Sequence, residues 1–138
     1  AATKQLAETV DIFPTLAELA GLPAPAGPQP RDGLSLVPVL RDPSARVRDH
    51  AAHCYPRGER MGRAIRTERY RLIEWKKPGA PADTAEFELY DYESDPRETK
   101  NLAASQPAVV TQLRALLARH PEAIPPGGSP ADKAKRNR

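Results

Sequence analysis

The sequence lacks the features that usually stabilise a small secreted domain or hold a protein in a membrane. It contains one cysteine, Cys54, which excludes an internal disulfide framework and leaves the redox compartment undecided. No apolar run approaches the roughly 20 residues that a membrane-spanning helix needs. No charged, apolar and small-residue segments follow one another as they do in a signal peptide. The sequence therefore predicts no membrane partner.

A marked excess of one charge is also missing. The chain has 21 Lys and Arg residues against 18 Asp and Glu residues, which gives a formal net charge of +3. This excess depends on the basic C-terminal sequence KAKRNR, so it is weak support for nucleic-acid binding. We therefore expect no nucleic-acid partner.

The chain has no initiator methionine, and an apolar pattern begins close to its first residue. We therefore expect a fragment of a longer protein, whose N-terminal part was cleaved or never included. Proline, in contrast, is abundant: the chain has sixteen, and ten of them lie in 23–43 and 121–130. Residues 23–33 predict an extended Pro/Gly-rich connector, and residues 121–138 predict a disordered tail.

A helix is predicted over residues 9–20. Its apolar side chains fall at helical spacing on one face: Val10, Phe13, Leu16, Leu19 and Ala20. Pro14 must lie in the first turn or kink the helix, because in the interior it would clash with the carbonyl of Val10. Gly21 is a typical C-terminal stop. One short amphipathic helix is not stable alone, so it should pack on another part of the protein.

Four short strands are predicted, over residues 50–55, 61–67, 69–75 and 87–92. A tight turn near residues 67–69 joins the second and third strands into a hairpin. A longer helix follows over residues 107–119, with Ser105 as its cap and one apolar stripe. The motif DPRE at 95–98 has the pattern of a helix start, with Asp95 as cap and Glu98 at the third position. The predicted fold is α+β: a small antiparallel sheet of about four strands packed with a C-terminal amphipathic helix.

Three groups of residues suggest chemistry, but each has a simpler explanation. His50 and His53 have metal-ligand spacing, yet residues i and i+3 of a strand point to opposite faces, so a shared ion is not favoured. Cys54 beside His53 suggests a nucleophile, but neighbours on a strand diverge, and a buried structural thiol is favoured. The acidic residues between 86 and 98 lack the spacing of a calcium loop, and Asp95 and Glu98 are interpreted as caps instead.

Six arginines, at positions 57, 60, 63, 66, 69 and 71, form the most suggestive pattern. Guanidinium groups suit sulfate, phosphate and carboxylate ligands. The alternative is a solvated face in which cross-strand glutamates pair with these arginines, namely Glu68, Glu74, Glu86 and Glu88. The alternative is favoured for most positions. For Arg57 both interpretations stay open, because it follows a strand end, where binding sites are common.

Several segments resemble the C-terminal region of the sulfatases, in the alkaline phosphatase superfamily. VDIFPTLAELAGLP is similar to the helix that closes their main α/β domain, and DGLSLVPVL to the segment after it. ELYDYESDPRETKNLA resembles the signature of their C-terminal subdomain. CYPRGERMGRAIRTERYRLIEW is most similar to the iduronate-2-sulfatase group. The resemblance implies three parts: residues 1–47 as the trailing helix and connector of the main domain, 48–120 as the C-terminal subdomain, and 121–138 as a tail.

The resemblance implies that the intact enzyme hydrolyses a sulfate ester with a formylglycine nucleophile and a calcium ion, both in the N-terminal domain. The sequence CYPRG at 54–58 begins like the Cys-x-Pro-x-Arg modification motif, but Gly58 occupies the position that must be arginine. We therefore expect no catalytic residue, metal ligand or cofactor in this fragment, which should be inactive alone. Calcium is expected only in the full-length enzyme.

The implied partners are the N-terminal catalytic domain and, in the intact enzyme, a sulfated small molecule or glycan. Because the C-terminal subdomain of these enzymes lies beside the active-site mouth, Tyr55 and Arg57, with His53 as a weaker addition, are candidate substrate-binding residues. Arg57 has two possible partners, a sugar carboxylate or sulfate, or a buried carboxylate of the main domain. Two other functions stay open: an autonomous module that binds anionic glycans, and part of a related phosphoryl or phosphonate ester hydrolase.

Overall fold

The computed structural model describes residues 2–23 and 32–124 of the protein. The predicted proline-rich connector and tail fall largely outside these residues. The chain divides into two compact units, Ala1–Ala51 and Ala52–Arg138. Within the described segments, no helix has both the length and the apolar character needed to cross a bilayer.

The first unit contains a 3-10 turn, Thr9–Asp11, followed by helix α1 (Ile12–Leu19) and the short helix α2 (Val37–Arg41). The predicted helix is therefore confirmed, with a 3-10 first turn. Pro14 lies in the first turn of α1, one of its two predicted placements. Gly21 follows the helix with a φ of 65°, a left-handed conformation that glycine adopts at little cost.

The carboxylate of Asp11 holds the first unit together. Asp11 is fully buried. Its Oδ2 accepts a hydrogen bond from the backbone N–H of Glu8 at 2.8 Å, and its Oδ1 accepts one from the N–H of Leu34 at 2.8 Å. The guanidinium of Arg48 pairs with the same carboxylate and also with Glu8 at 3.1 Å. One buried charge therefore connects the start of the helix to two later segments.

The apolar face of α1 is exposed in this unit. The buried residues of the helix are Thr15 and Ala17. The large apolar residues on and around the helix are 48–62% exposed: Val10, Ile12, Phe13, Leu16, Leu19 and Leu22. The helix therefore packs within its own unit through small and polar side chains.

The second unit contains a four-stranded sheet in the order β1-β2-β3-β4. The strands are β1 (Ala51–Arg57), β2 (Arg60–Arg66), β3 (Tyr70–Lys76) and β4 (Glu86–Asp91). Strand β3 pairs antiparallel with both β2 and β4. The two-residue link between β1 and β2 requires an antiparallel hairpin, and Gly58 in this link has a φ of 59°. The predicted strands are confirmed, with ends shifted by one or two residues.

Helix α3 (Pro107–Leu117) covers one face of this sheet. The core consists of Ile65, Leu72 and Leu89 from the strands and Leu113 and Leu117 from the helix. Each is at most 3% exposed. The predicted fold, an antiparallel sheet of four strands with a C-terminal amphipathic helix, is therefore confirmed.

Two predicted helix signals have other roles. Residues 95–98 form a turn without a helix, and Glu98 has a φ of 55°. Its carboxylate pairs with Arg71 and accepts a hydrogen bond from Tyr92, so it is not free to cap a helix. Ser105 is also not a cap, because its hydroxyl donates to the carbonyl of Leu102 at 3.1 Å. Of the predicted caps, only Asp95 is a local acceptor, binding the N–H of Lys100 at 2.9 Å.

The motif Asn101-Leu102 protects the outer edge of β4. The side-chain oxygen of Asn101 accepts the N–H of Leu89 at 3.0 Å, and its amide nitrogen donates to the carbonyl of Phe87 at 3.2 Å. The N–H of Leu102 donates to the carbonyl of Leu89 at 2.8 Å. These bonds satisfy backbone groups that an edge strand otherwise leaves unpaired.

Candidate functional site

The candidate site lies on the face of the sheet opposite α3, which we call the second face. Side chains alternate along a strand, and Ala52 of β1 contacts the core under α3. The second face therefore carries His53, Tyr55 and Arg57 from β1. On the same face, in the neighbouring strands, Gly62 of β2 is paired with Trp75 of β3.

Two contacts fix the indole ring of Trp75, and a third residue supports one of them. The ring lies directly on Gly62, where an added Cβ would be 2.6 Å from Cζ3 of the ring. The indole Nε1 donates to Oε1 of Glu88 at 3.0 Å. The other oxygen of Glu88 accepts the hydroxyl of Tyr90 at 3.0 Å, and burial together with this bond raises the pKa of Tyr90. Trp75 is thus a fixed surface.

Arg57 lies on this surface. Its guanidinium carbon is 5.5 Å from the centre of the Trp75 ring, within the range of a cation–π contact. Beside it is a cleft of about 290 Å³, lined by Arg57, Arg60, Trp75, Glu86 and Glu88. Arg60 pairs with Glu86 at 2.6 Å, and Glu88 is engaged by Trp75 and Tyr90. Among the described residues, Arg57 is therefore the cation of the cleft without a carboxylate or carbonyl partner.

The other five arginines have oxygen partners. Carboxylate pairs join Arg60 to Glu86, Arg63 to Glu74, Arg69 to Asp91 and Glu93, and Arg71 to Glu98. Arg66 donates to the backbone carbonyls of Thr67 and Glu68 and lies 3.5 Å from the centre of the Tyr92 ring. Within residues 2–23 and 32–124, Arg57 has no such partner.

The predicted solvated arginine face is confirmed only in part. Glu74 and Glu86 are cross-strand partners, as predicted, and Glu74 is directly opposite Arg63 in the register. Glu88 is not an arginine partner, because Trp75 and Tyr90 occupy both of its oxygens. Three of the six arginines are exposed, and the other three, at positions 63, 66 and 71, are half-buried. Most of these arginines therefore stabilise the sheet.

The remaining predicted site residues lie along β1. His53 and Tyr55 are exposed, Tyr55 by 62%. Cys54 is also exposed, so the prediction of a buried thiol is wrong: it lies where β1 runs along the edge of the sheet. Partial desolvation raises the pKa of Cys54, which keeps the thiol protonated and makes it a poor nucleophile. His50 precedes β1 and contacts Asp49 at 2.6 Å.

The acidic residues near β4 are engaged with protein groups. Guanidinium groups bind Glu86, Asp91, Glu93 and Glu98. In the part of the chain that the structure describes, no group of three or more His, Cys, Asp or Glu side chains is arranged to hold a metal ion. The N–H donors of Arg57, which have no acceptor among the described residues, are of the kind that suits a carboxylate or sulfate.

The sequence pattern singled out Arg57 but did not single out Trp75, on which Arg57 lies, or Gly62 and Glu88, which fix the Trp75 ring. Gly62 inside a strand was the available signal, because glycine at such a position often marks the close approach of another group. The partner in that approach is Trp75, which becomes evident only when the register of β2 and β3 is known. Glu88 also comes from another strand, so its bond to the indole has no local signature.

The profile of the family described as N-sulphoglucosamine sulphohydrolase, C-terminal, matches residues 1–123. The chain belongs to this family of sulfatase C-terminal domains. A curated relative, the Delta 4,5-hexuronate-2-O-sulfatase of Bacteroides thetaiotaomicron, is 32% identical over 120 residues. That match covers 79% of this chain and 22% of the relative.

Two solved structures have the same fold. One, determined in complex with its substrate D-glucosamine-2-N,6-O-disulfate, has a TM-score of 0.62 and 28% identity, covering 79% of this chain and 22% of that one. The phosphonate monoester hydrolase of Agrobacterium radiobacter has a TM-score of 0.57 and 27% identity, covering 80% and 25%. This sulfatase domain therefore spans about a quarter or less of the proteins it matches.

Proposed function

We propose that this chain is the C-terminal part of a sulfatase of the iduronate-2-sulfatase type, which hydrolyses a sulfate ester on a sugar. In that enzyme the chain supports the catalytic domain and shapes the substrate pocket, and it has no activity alone. The family match over residues 1–123 carries this proposal. Similarity to a hexuronate-2-O-sulfatase supports an acidic sugar as the substrate.

The partner that we propose for the chain is the N-terminal catalytic domain. The exposed apolar residues of α1 support this, because an uncovered stripe of this kind is unfavourable in water. The lengths of the relatives support it too, since this chain corresponds to 22% of the hexuronate sulfatase. Burying each large apolar side chain of the stripe would contribute about 1.5–3 kcal/mol to the association.

The nucleophile and the calcium ion belong, in this proposal, to the catalytic domain. We propose no residue of this chain as a calcium ligand, because its described segments contain no suitable cluster of His, Cys, Asp and Glu. The proposed contribution of the chain to catalysis is substrate selection by Tyr55 and Arg57, with His53 as a weaker contact. Arg57 would bind a carboxylate or sulfate of the sugar through paired hydrogen bonds.

The decisive experiment is to sequence the gene upstream of this region, and then to assay both the full-length protein and this chain alone for sulfatase activity. A Cys- or Ser-x-Pro-x-Arg motif should lie within the preceding few hundred residues, and its absence would contradict a sulfatase. The full-length protein should hydrolyse an aryl sulfate, whereas this chain alone should not. Clear turnover by the isolated chain would show that the nucleophile lies in this chain and not in the N-terminal catalytic domain.

The alternative enzyme is a phosphonate or phosphoryl ester hydrolase, which the similarity to the Agrobacterium enzyme favours. Comparing turnover of an aryl sulfate with that of an aryl phosphonate by the full-length protein separates the two. An autonomous glycan-binding module has less support, because most arginines that would form its surface are paired with carboxylates. Retention of the isolated chain on immobilised heparin at moderate salt would favour that module.

A further inference from the structure

Arg57 differs from its neighbours in what surrounds its charge. Arg60, three residues later, pairs with Glu86 at 2.6 Å, and Arg63 pairs with Glu74 at 2.6 Å. The guanidinium of Arg57 contacts the Trp75 ring instead and, among the described residues, lacks a carboxylate or carbonyl acceptor. An aromatic face orients a guanidinium without using its N–H donors. The donors of Arg57 are therefore available to a ligand.

The ring under Arg57 is fixed by residues that have no contact of their own with a ligand. Gly62 allows the indole to lie flat on β2, because any side chain there would collide with the ring. Glu88 fixes the rotation of the indole through its bond to Nε1 at 3.0 Å. Tyr90 donates to the second oxygen of Glu88, so this carboxylate is engaged on both sides and repels an incoming anion less strongly.

We infer that the cleft beside Arg57 binds a single carboxylate or sulfate group of a sugar, and that Trp75, held by Gly62 and Glu88, is the positioning residue for Arg57. The fork of the guanidinium suits two oxygens of one such group. Arg60 and Glu86 offset each other, and the carboxylate of Glu88 already accepts hydrogen bonds from Trp75 and Tyr90, so the guanidinium of Arg57 supplies the unused donors of the cleft. That the anion belongs to the substrate rests on the proposed function, but anion binding itself does not.

The chain allows a direct test because Trp75 is its only tryptophan. Sodium sulfate and sodium glucuronate are titrated separately at constant ionic strength, with sodium chloride as the reference, while Trp75 emission is recorded. A saturable change with sulfate or glucuronate, absent with chloride, is expected. A stronger response to one of the two identifies the group that the cleft prefers. Equal responses to all three salts, or none in a chain that unfolds cooperatively, would overturn the inference.

Matched variants assign the response to the cleft. Arg57→Ala should weaken anion binding by about tenfold or more, the loss expected for a charge-assisted hydrogen-bonded pair. Arg119→Ala makes the same change in charge on an exposed arginine just beyond α3, on the other side of the sheet, and should leave binding unchanged. If both variants bind alike, the response is not at Arg57 and the inference is wrong.

The positioning role of Trp75 is tested by calorimetry, because its replacement removes the fluorescence signal. Trp75→Leu should weaken anion binding as much as Arg57→Ala does. Trp75→Phe retains an aromatic face and should restore part of the affinity, which a purely structural role would not predict. Equal binding by the Leu and Phe variants would show that the ring does not position Arg57.

The full-length enzyme provides a second measurement that does not depend on the isolated chain folding. Arg57→Ala should raise KM for a uronate-containing substrate by about tenfold and should affect a small aryl sulfate, which has no uronate carboxylate, much less. If Arg57→Ala lowers the thermal stability of the enzyme and reduces both activities equally, Arg57 binds a carboxylate of the catalytic domain and the inference is wrong. A failed inference of this kind leaves the sulfatase proposal intact.

Discussion

Asp91 is a single buried residue whose charge links the stability of the sheet to pH. It is 3% exposed, and Arg69 binds both of its oxygens, with Nε to Oδ1 at 3.0 Å and Nη2 to Oδ2 at 2.8 Å. These hydrogen bonds lower its pKa below the ordinary value of 3.8. Since the folded pKa is lowered, the carboxylate stabilises the fold above pH 3.8, and the contribution is lost as pH falls through the lowered pKa.

We therefore expect Asp91→Asn to lower the free energy of unfolding at neutral pH, and we expect the difference from the unmodified chain to shrink below about pH 4. Urea unfolding at several pH values measures this difference. Glu93→Gln is the matched control, because Glu93 also contacts Arg69, at 3.1 Å, but is exposed. A difference that stays constant with pH would contradict the assignment of the effect to the Asp91 charge.

At the same scale, Gly62 is required by the ring that covers it. A Cβ at this position would lie 2.6 Å from Trp75 Cζ3, closer than carbon atoms normally approach. Gly62→Ala should displace the indole, destabilise the fold by about 1–3 kcal/mol and shift the Trp75 emission to longer wavelength. Thermal unfolding and fluorescence measure the two effects. In a Trp75→Leu background the cost should largely vanish, and an unchanged cost would rule out the ring as its cause.

At the scale of elements, α1 depends on a polar connection rather than on its apolar face. Asp11 precedes the helix, is 0% exposed, and joins Glu8, Leu34 and Arg48. A helix of eight residues is too short to be stable without such tertiary contacts. The connection thus gives the first unit its shape while the apolar stripe stays available.

Asp11→Ala should destabilise the first unit by about 1–3 kcal/mol, because two backbone N–H groups lose their acceptor and Arg48 keeps only Glu8 as a carboxylate partner. Hydrogen exchange of the α1 amides reports this unit separately from the sheet. Asp42→Ala is the control, since Asp42 is exposed and its pKa is lowered mainly by the Ser44 hydroxyl beside it. Unchanged protection of α1 in Asp11→Ala would show that the helix does not need this carboxylate.

At the scale of the whole molecule, the exposed apolar side chains on and around α1 form a stripe that another part of the protein could cover. Leu16 and Leu19 are 59% and 60% exposed. We expect the double variant Leu16→Ser with Leu19→Ser to make the isolated chain less prone to aggregate, because it removes apolar surface from water. In the full-length enzyme the same change should lower stability by about 1.5–3 kcal/mol for each leucine that the catalytic domain buries.

Light scattering of the isolated chain and thermal unfolding of the full-length enzyme measure these opposite effects. Ile124→Ser is the control, because Ile124 is an apolar residue of similar exposure, 49%, outside the stripe. If the double variant leaves the stability of the full-length enzyme unchanged, the stripe is not the surface that contacts the catalytic domain.

Much of the fold followed from local sequence. The spacing of apolar residues determined α3, and alternation with turn residues determined the strands, because side-chain direction within one element depends only on its own backbone geometry. The placements of Pro14 and Gly21 followed from their backbone restrictions. The sequence also identified Arg57 as different from the other arginines, on the basis of its position at the end of a strand.

Only the tertiary structure decided which side chains meet. Arg71 and Glu98 are 27 positions apart, and their pairing replaced the predicted helix cap. The same long-range contacts bring Glu88 to Trp75 and seat the indole on Gly62, which turns an isolated arginine into a candidate site. The physical reason is that a strand's own sequence sets its two faces, whereas its register and partners depend on the free energy of the whole sheet.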